Sequence, residues 1–302
     1  MVTKVISIFG GAGFIGTELV KELVKKPFEI RIFTRKKNKI NYSKFYPRVK
    51  VIEYSPKKDF SDDLEGSNII INLVGILHES RNLKFSMAHE NFVSSLIKYA
   101  LKKNIKRLIH LSAIGANKTS ESKYLNSKYK TEILIKKDFK SFNWTIFRPS
   151  IVFGPQDKFI NLFKKMIKFL PIIFLVSPKA EFQPIYVEDL VDIITKSIEN
   201  NKTYKKVFNL GGPKKLTFLE IIKLISICDK KKNIVIGLNK TMSYLFVSLL
   251  QLSPVKLITT DNLKSMEISN TVKVNHSYHF KSSLKELTTY LNNYKKLWIF
   301  IL

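Results

Sequence analysis

Short apolar runs alternate with longer amphipathic stretches through the first half of the chain. Lys4–Phe9, Glu29–Thr34, Val49–Tyr54, Asn68–Val74, Arg107–Ser112 and Trp144–Arg148 are runs of five to seven residues, the length and composition of buried strands. Between them, Phe14–Lys26 places Leu19, Val20, Leu23 and Val24 at helical spacing. Asn91–Lys103 turns Leu96, Ala100 and Leu101 to one side, and Ser122–Lys137 forms a further helical stretch. Strands that alternate with helices predict a parallel sheet covered on both faces, an α/β fold. After Pro149 the order loosens. Phe159–Phe169, Val187–Glu199 and Thr217–Ile227 read as helices, the last with Thr217 as its cap, and Val207–Leu210 as a strand. From Lys240 onward the pattern is mostly helical or irregular.

The chain has 302 residues, 45% of them hydrophobic, which is enough for a sizeable core in one large domain or two joined ones. A single cysteine, Cys228, excludes an intramolecular disulfide and a cysteine-based zinc site. The five histidines show no HExxH spacing. The net charge is +28, carried by 46 lysines and only six arginines against 24 acidic residues. Phosphate recognition usually recruits arginine forks beside lysine. We therefore read the lysine excess first as compositional drift, with an anionic membrane surface as the next reading and nucleic acid as an unlikely partner. No run reaches the ~18–20 apolar residues that span a bilayer, and no signal peptide is expected, so the expected location is cytoplasmic, with the inner face of an energy-transducing membrane as the peripheral alternative.

Phe9-Gly10-Gly11-Ala12-Gly13-Phe14-Ile15-Gly16 joins the first strand to the first helix. Gly10, Gly13 and Gly16 at this junction suit a tight turn, close backbone approach to a diphosphate, and a helix start that points free N–H groups at it. The expected architecture is a Rossmann-type doubly wound parallel sheet, with residues 1–150 as its dinucleotide-binding part. Residues 151–302 form a smaller, mostly helical substrate or partner region, and segments near 182–211 are free to rejoin the sheet. The first N–H groups of the helix place Phe14 and Ile15 in the cofactor site with the glycines. The second strand ends at Thr34-Arg35-Lys36-Lys37, with no acidic residue to bind a ribose 2′-hydroxyl. Arg35 is placed to meet a 2′-phosphate, so NADP(H) is favoured and NAD(H) is the alternative.

Tyr124 and Lys128 are four residues apart on a predicted helix and so share a face. Four of the twelve tyrosines match this spacing, and position selects this one. Ser112 ends the fifth strand, at the sheet edge where ligands of such folds bind. A lysine cation beside Tyr124 would lower its pKa, so that it could exchange a proton with a carbonyl or alcohol. Ser112 would orient the substrate oxygen, and Lys128 would also hold the nicotinamide ribose.

These residues carry a resemblance. The chain resembles the short-chain dehydrogenase/reductase superfamily, in its extended or atypical, epimerase/dehydratase-like branch. The resemblance covers roughly the whole chain. It rests on Gly10/Gly13/Gly16, Asn72-Leu-Val-Gly75, Asn91, Leu111-Ser112-Ala113, Tyr124/Lys128, Arg148-Pro-Ser-Ile-Val-Phe-Gly-Pro155 and Gln183-Pro-Ile-Tyr-Val-Glu-Asp189. It implies a catalytic tetrad of Asn91, Ser112, Tyr124 and Lys128, and adds Asn72, Gly75 and Pro149 to the cofactor site. Within the superfamily the chain looks most like the NAD(P)H-binding accessory subunit of respiratory complex I and its bacterial relatives. Asn72–Leu77, His110–Ala116, Phe182–Asp189 and Asn209–Pro213 carry this likeness. It implies a nucleotide held tightly, without an established turnover. The gap from Ser112 to Tyr124 is shorter than in the extended enzymes.

Residues 159–176 and 240–258 are apolar and flanked by lysines. Burial against the sheet is the expected reading, with an apolar substrate pocket and anionic lipid as alternatives. The C-terminal Leu297–Leu302 is wholly apolar and reads either as a packed end or as an exposed anchor. Two functions follow: a nucleotide-holding protein at a membrane surface, with complex I as a possible partner, or a soluble NADP(H)-dependent oxidoreductase acting on a small carbonyl or alcohol.

Overall fold

The computed structural model describes residues 3–35, 46–138, 142–251, 258–281 and 283–299. Seven parallel strands form one sheet in the order β11-β6-β5-β4-β1-β2-β3. They are β1 (Lys4–Phe9), β2 (Phe28–Thr34), β3 (Val49–Glu53), β4 (Ile69–Asn72), β5 (Arg107–Leu111), β6 (Asn143–Pro149) and β11 (Lys206–Leu210). All six strands expected before residue 150 are present, and the expected strand at 207–210 rejoins the sheet beside β6. The order reverses between β1 and β4, where open parallel sheets form a crevice at the carboxyl ends of their strands.

Near-continuous apolar strands make sense here, because both faces of the sheet are covered. One face packs Leu19, Val20 and Leu23 of α1 (Phe14–Leu23), together with α5 (Val187–Ser197), whose Leu190, Ile193 and Ile194 are fully buried. The other face packs Val93, Leu96 and Ile97 of α2 (Phe92–Lys102) and Ile135 of α3 (Lys123–Asp138). At its centre Phe9 stacks on Phe33 at 4.3 Å and meets Tyr54 edge-on at 5.3 Å. Arg107 is buried and pairs with no carboxylate among the described residues. Its guanidinium instead donates to the carbonyls of Ser197, Ile198 and Asn143 and so ties β5 to the chain on either side of the sheet edge.

The remaining helices are α4 (Phe159–Phe169), α6 (Phe218–Cys228), α7 (Lys240–Leu250), α8 (Thr260–Met266) and α9 (Leu287–Ile299). Thr217 caps α6 as expected, in a capping box closed by Glu220. The apolar pattern did not reveal the short pairs β7 (Val152–Phe153) with β10 (Ile185–Tyr186), β9 (Glu181–Phe182) with β12 (Leu216–Thr217), and β8 (Ile172–Leu175) with β13 (Ile234–Gly237). Strands of two to four residues are too short for a period of two to stand out. Among the described residues no helix is long and apolar enough to cross a membrane. Residues 300–302 lie outside the described residues, as do Lys36 and Lys37.

Candidate functional site

The glycine turn begins with Gly10 at φ +80°, a conformation that side chains rarely adopt. Its carbonyl accepts the N–H of Gly13 at 3.0 Å, which closes the turn. A Cβ on Gly10 would stand 3.0 Å from the Leu73 carbonyl carbon, so the loops after β1 and β4 touch through backbone. A Cβ on Gly16 would lie 2.3 Å from the Gly10 oxygen and 2.5 Å from the Gly11 Cα. Helix α1 thus begins hard against the turn. Gly13 is its N-cap and offers no side chain to the first helical N–H groups, those of Phe14 and Ile15 among them. A glycine cradle followed by an uncapped helix start fits a diphosphate. Arg35 follows β2 directly and is exposed beside Tyr54, which feels its charge.

The loop after β4 forms the opposite wall. Asn72 is buried at the strand end, where its Oδ1 accepts from the Val74 N–H at 3.0 Å. Its amide donates to His110 Nδ1 at 3.1 Å. That assigns the His110 proton to Nε2, which has no partner among the described residues. Gly75 makes room for Lys128, since a Cβ there would meet Nζ at 3.3 Å and His89 Nε2 at 3.9 Å. Pro149 is buried at the end of β6, and its carbonyl accepts from the Ile114 N–H at 3.1 Å.

Helix α3 carries Tyr124, Lys128 and Glu132 on successive turns of one face. The Lys128 ammonium donates to the carbonyls of Leu111 at 3.0 Å and Val74 at 3.4 Å. Burial pushes its pKa down to about 8, opposed by the charge of Glu132. Tyr124 packs against Phe85 and His89, and burial pushes its phenol up to about 12. Ser112 faces elsewhere as well. Its hydroxyl donates to Glu132 Oε1 at 2.6 Å, and Arg148 grips the same fully buried carboxylate through two bonds of 2.7 and 2.6 Å. The two residues that follow Ser112 on the sheet edge, Ala113 and Ile114, carry no hydroxyl.

Asn91 is exposed at the end of a π-helical turn (Ser86–Asn91). The buried residue beside Lys128 is His89, two positions earlier. The Ile76 N–H donates to its Nε2 at 3.2 Å, and its Nδ1–H donates to Ser127 Oγ at 2.8 Å. The Ser127 hydroxyl donates a hydrogen bond to the Tyr124 carbonyl at 2.7 Å, which fixes this direction. Burial and the Lys128 charge push the imidazole down to about 2, so it stays neutral. His89 therefore laces the loop after β4 to the helical turn that bears Tyr124.

The start of α3 is held from the far end of the chain. Asp261 on α8 accepts from the N–H groups of Lys123 at 2.6 Å and Tyr124 at 3.1 Å, and from the Ser122 hydroxyl at 3.0 Å. Three of these positioning residues were legible in part. Glu132 continues the four-residue spacing of Tyr124 and Lys128, Arg148 opens a quoted motif, and His89 precedes Asn91 by two. Asp261 has no local signal, because it acts across 137 positions of sequence.

The NAD dependent epimerase/dehydratase family model matches residues 6–211, which include the glycine turn, Tyr124/Lys128 and Arg148. The chain belongs to this family. Within the epimerase/dehydratase family, curated relatives include the mitochondrial NADH dehydrogenase [ubiquinone] 1 alpha subcomplex subunit 9 of Arabidopsis thaliana and of Dictyostelium discoideum. The first is 28% identical over 232 residues, which are 73% of this chain and 57% of that protein. The second is 29% identical over 232 residues, 73% of this chain and 63% of that protein. The chain thus spans about three-fifths of the length of these relatives. Among solved structures, UDP-glucuronic acid 4-epimerase from Bacillus cereus, in complex with UDP-glucuronic acid and NAD, superposes with a TM-score of 0.67 at 20% identity. That match covers 87% of this chain and 97% of that one. The Rossmann-type sheet of this epimerase/dehydratase-like chain is therefore shared with a dinucleotide-binding fold.

Proposed function

We propose that the chain holds a nicotinamide dinucleotide, NADP(H) in preference to NAD(H), in a structural or regulatory role at a membrane surface. Such a role would resemble that of its complex I relatives, and complex I is the partner class this reading suggests. Gly10, Gly13, Gly16 and the N–H groups of Phe14 and Ile15 would hold the diphosphate, with Asn72, Gly75 and Pro149 lining the site. Arg35 would take the 2′-phosphate, and Lys128 the nicotinamide ribose. A nicotinamide held there would supply or accept hydride only if a carbonyl or alcohol reached it.

The observation that carries the holding role is the buried Ser112–Glu132–Arg148 cluster. It engages the Ser112 hydroxyl inside the protein, while the Gly10–Gly13 hydrogen bond closes a turn of the kind that cradles a diphosphate. Burial also pushes the Tyr124 phenol upward, away from working pH, which favours holding over acid–base exchange. The test is to denature the purified protein and identify any released nucleotide, then follow NADPH oxidation with a panel of aldehydes and ketones. Retained NADPH without turnover supports the reading. Steady turnover overturns it in favour of a soluble oxidoreductase, which the shared helix face of Tyr124 and Lys128 would serve. In that case Tyr124→Phe abolishes turnover and leaves nucleotide binding intact.

A further inference from the structure

Strands β8 and β13 pair in register, so that Ile172 stands beside Ile234 and Phe174 beside Ile236. All four side chains are exposed, while Ile173 and Leu175 between them are buried in the core. This two-stranded sheet therefore turns an apolar face outward. Phe246 of α7 meets Phe174 at 6.0 Å and joins that face to a second apolar stripe, where Leu245 and Leu249 are 65% and 60% exposed. Phe169, at the end of α4 just before β8, is 73% exposed. Single exposed apolar side chains are ordinary, but a contiguous patch of this kind marks an interaction surface.

The charge around the patch selects its partner. Residues 158–179 and 230–251, which supply all of these side chains, contain nine lysines and no aspartate or glutamate. Lys230, Lys231 and Lys232 immediately precede β13 and are exposed. Among the described residues, Glu267 reaches α7 and pairs with Lys240 at 3.0 Å, and Tyr244 feels the charges of Glu267 and Glu121. A second copy of the chain would bring nine further lysines against these nine. An anionic bilayer neutralises them and admits the aromatic and aliphatic side chains at the headgroup boundary.

We infer that the β8/β13 face and the outer side of α7 form the surface that lies on an anionic membrane. This deepens the membrane part of the reading above and does not depend on the nucleotide. It also revises the expectation of burial for residues 159–176 and 240–258. Among the described residues of each segment, Ile160, Ile167 and Val247 are buried, whereas Phe169, Phe174, Leu245 and Leu249 are exposed.

The test is co-sedimentation of the full chain with vesicles of phosphatidylcholine alone, or with about 30% phosphatidylglycerol added. One variant combines Ile172→Thr, Phe174→Thr and Ile236→Thr, which keep strand propensity at exposed positions. The other combines Lys230→Gln, Lys231→Gln and Lys232→Gln. Thermal unfolding verifies that both remain folded. The unaltered chain binds only the anionic vesicles, and each variant binds them more than about tenfold more weakly. Equal binding by the threonine variant overturns this surface and leaves membrane association to another part of the chain. No vesicle binding by the unaltered chain removes both the surface and the membrane reading. A concentration-dependent dimer that the threonine variant loses makes a second copy the occupant and overturns the inference.

Discussion

Gly16→Ala sets helix propensity against the geometry of the nucleotide cradle. In an ordinary helix, alanine in place of glycine gains roughly 0.5–1 kcal/mol. Here the new Cβ would lie 2.3 Å from the Gly10 oxygen, 2.5 Å from the Gly11 Cα and 2.7 Å from the Gly11 carbonyl carbon. All three are backbone atoms of a turn already closed by the Gly13–Gly10 hydrogen bond, so no flexible side chain can yield. Overpacking of this kind costs about 1–3 kcal/mol and outweighs the propensity gain. The middle of both ranges leaves a net loss of about 1 kcal/mol, a fall in Tm of about 2 °C for a chain of this size. Because the turn itself must shift, NADPH affinity falls as well. Gly13→Ala is the control. Its Cβ would meet the Gly10 oxygen at 3.2 Å, a tight contact but far looser than 2.3 Å, and its φ is −84°, so a smaller loss than for Gly16→Ala is expected. The assay is thermal unfolding of the three proteins without nucleotide, followed by an NADPH titration. A higher Tm for Gly16→Ala, or equal values for the two variants, would refute the packing argument.

Three other outcomes are expected. His89 and His110 are held neutral by burial, with folded pKa values below the unfolded value near 6.5. The unfolded chain therefore takes up protons that the folded chain refuses, and stability falls as pH drops below ~6.5 by about 1.4 kcal/mol per pH unit for each. Tm measured from pH 7.5 to 5 should show this, and His89→Asn should flatten the slope by about one proton; an unchanged slope contradicts the assignment. Glu132→Gln leaves the Arg148 guanidinium without its charged partner and should cost about 3–5 kcal/mol, a loss read by urea denaturation. Lys128→Met removes a buried cation whose pKa is pushed down to about 8, so stability should hold or rise below pH 8 while nucleotide affinity falls. Calorimetry and titration on the same sample separate the two effects.

The sheet was legible because its strands are buried on both faces. That forces near-continuous apolar runs, and the first six stand out between helices of clear period. The glycine turn was legible because its chemistry is local. The function of Ser112 was not. Its partner Glu132 lies twenty positions away on another element, and only the packing of α3 on β5 and β6 brings the two together. Asn91 drew attention through its resemblance to a tetrad position, but the π-helical turn that ends there presents His89 to Lys128 and leaves Asn91 in solvent. The outer face of β8 and β13 escaped notice because sequence shows that a segment is apolar, but not which side of it a fold leaves open.

The central claim is a formed dinucleotide cradle with Arg35 at its 2′-phosphate end, and thermal unfolding with NADPH and with NADH tests it most directly. Ligand at ~100 times its Kd adds roughly 2.7 kcal/mol of stability, a shift of about 4 °C for 302 residues. The account predicts a shift with NADPH that exceeds the shift with NADH, and an Arg35→Ala variant in which the two become equal. No shift with either nucleotide, together with no nucleotide released on denaturation, would contradict it.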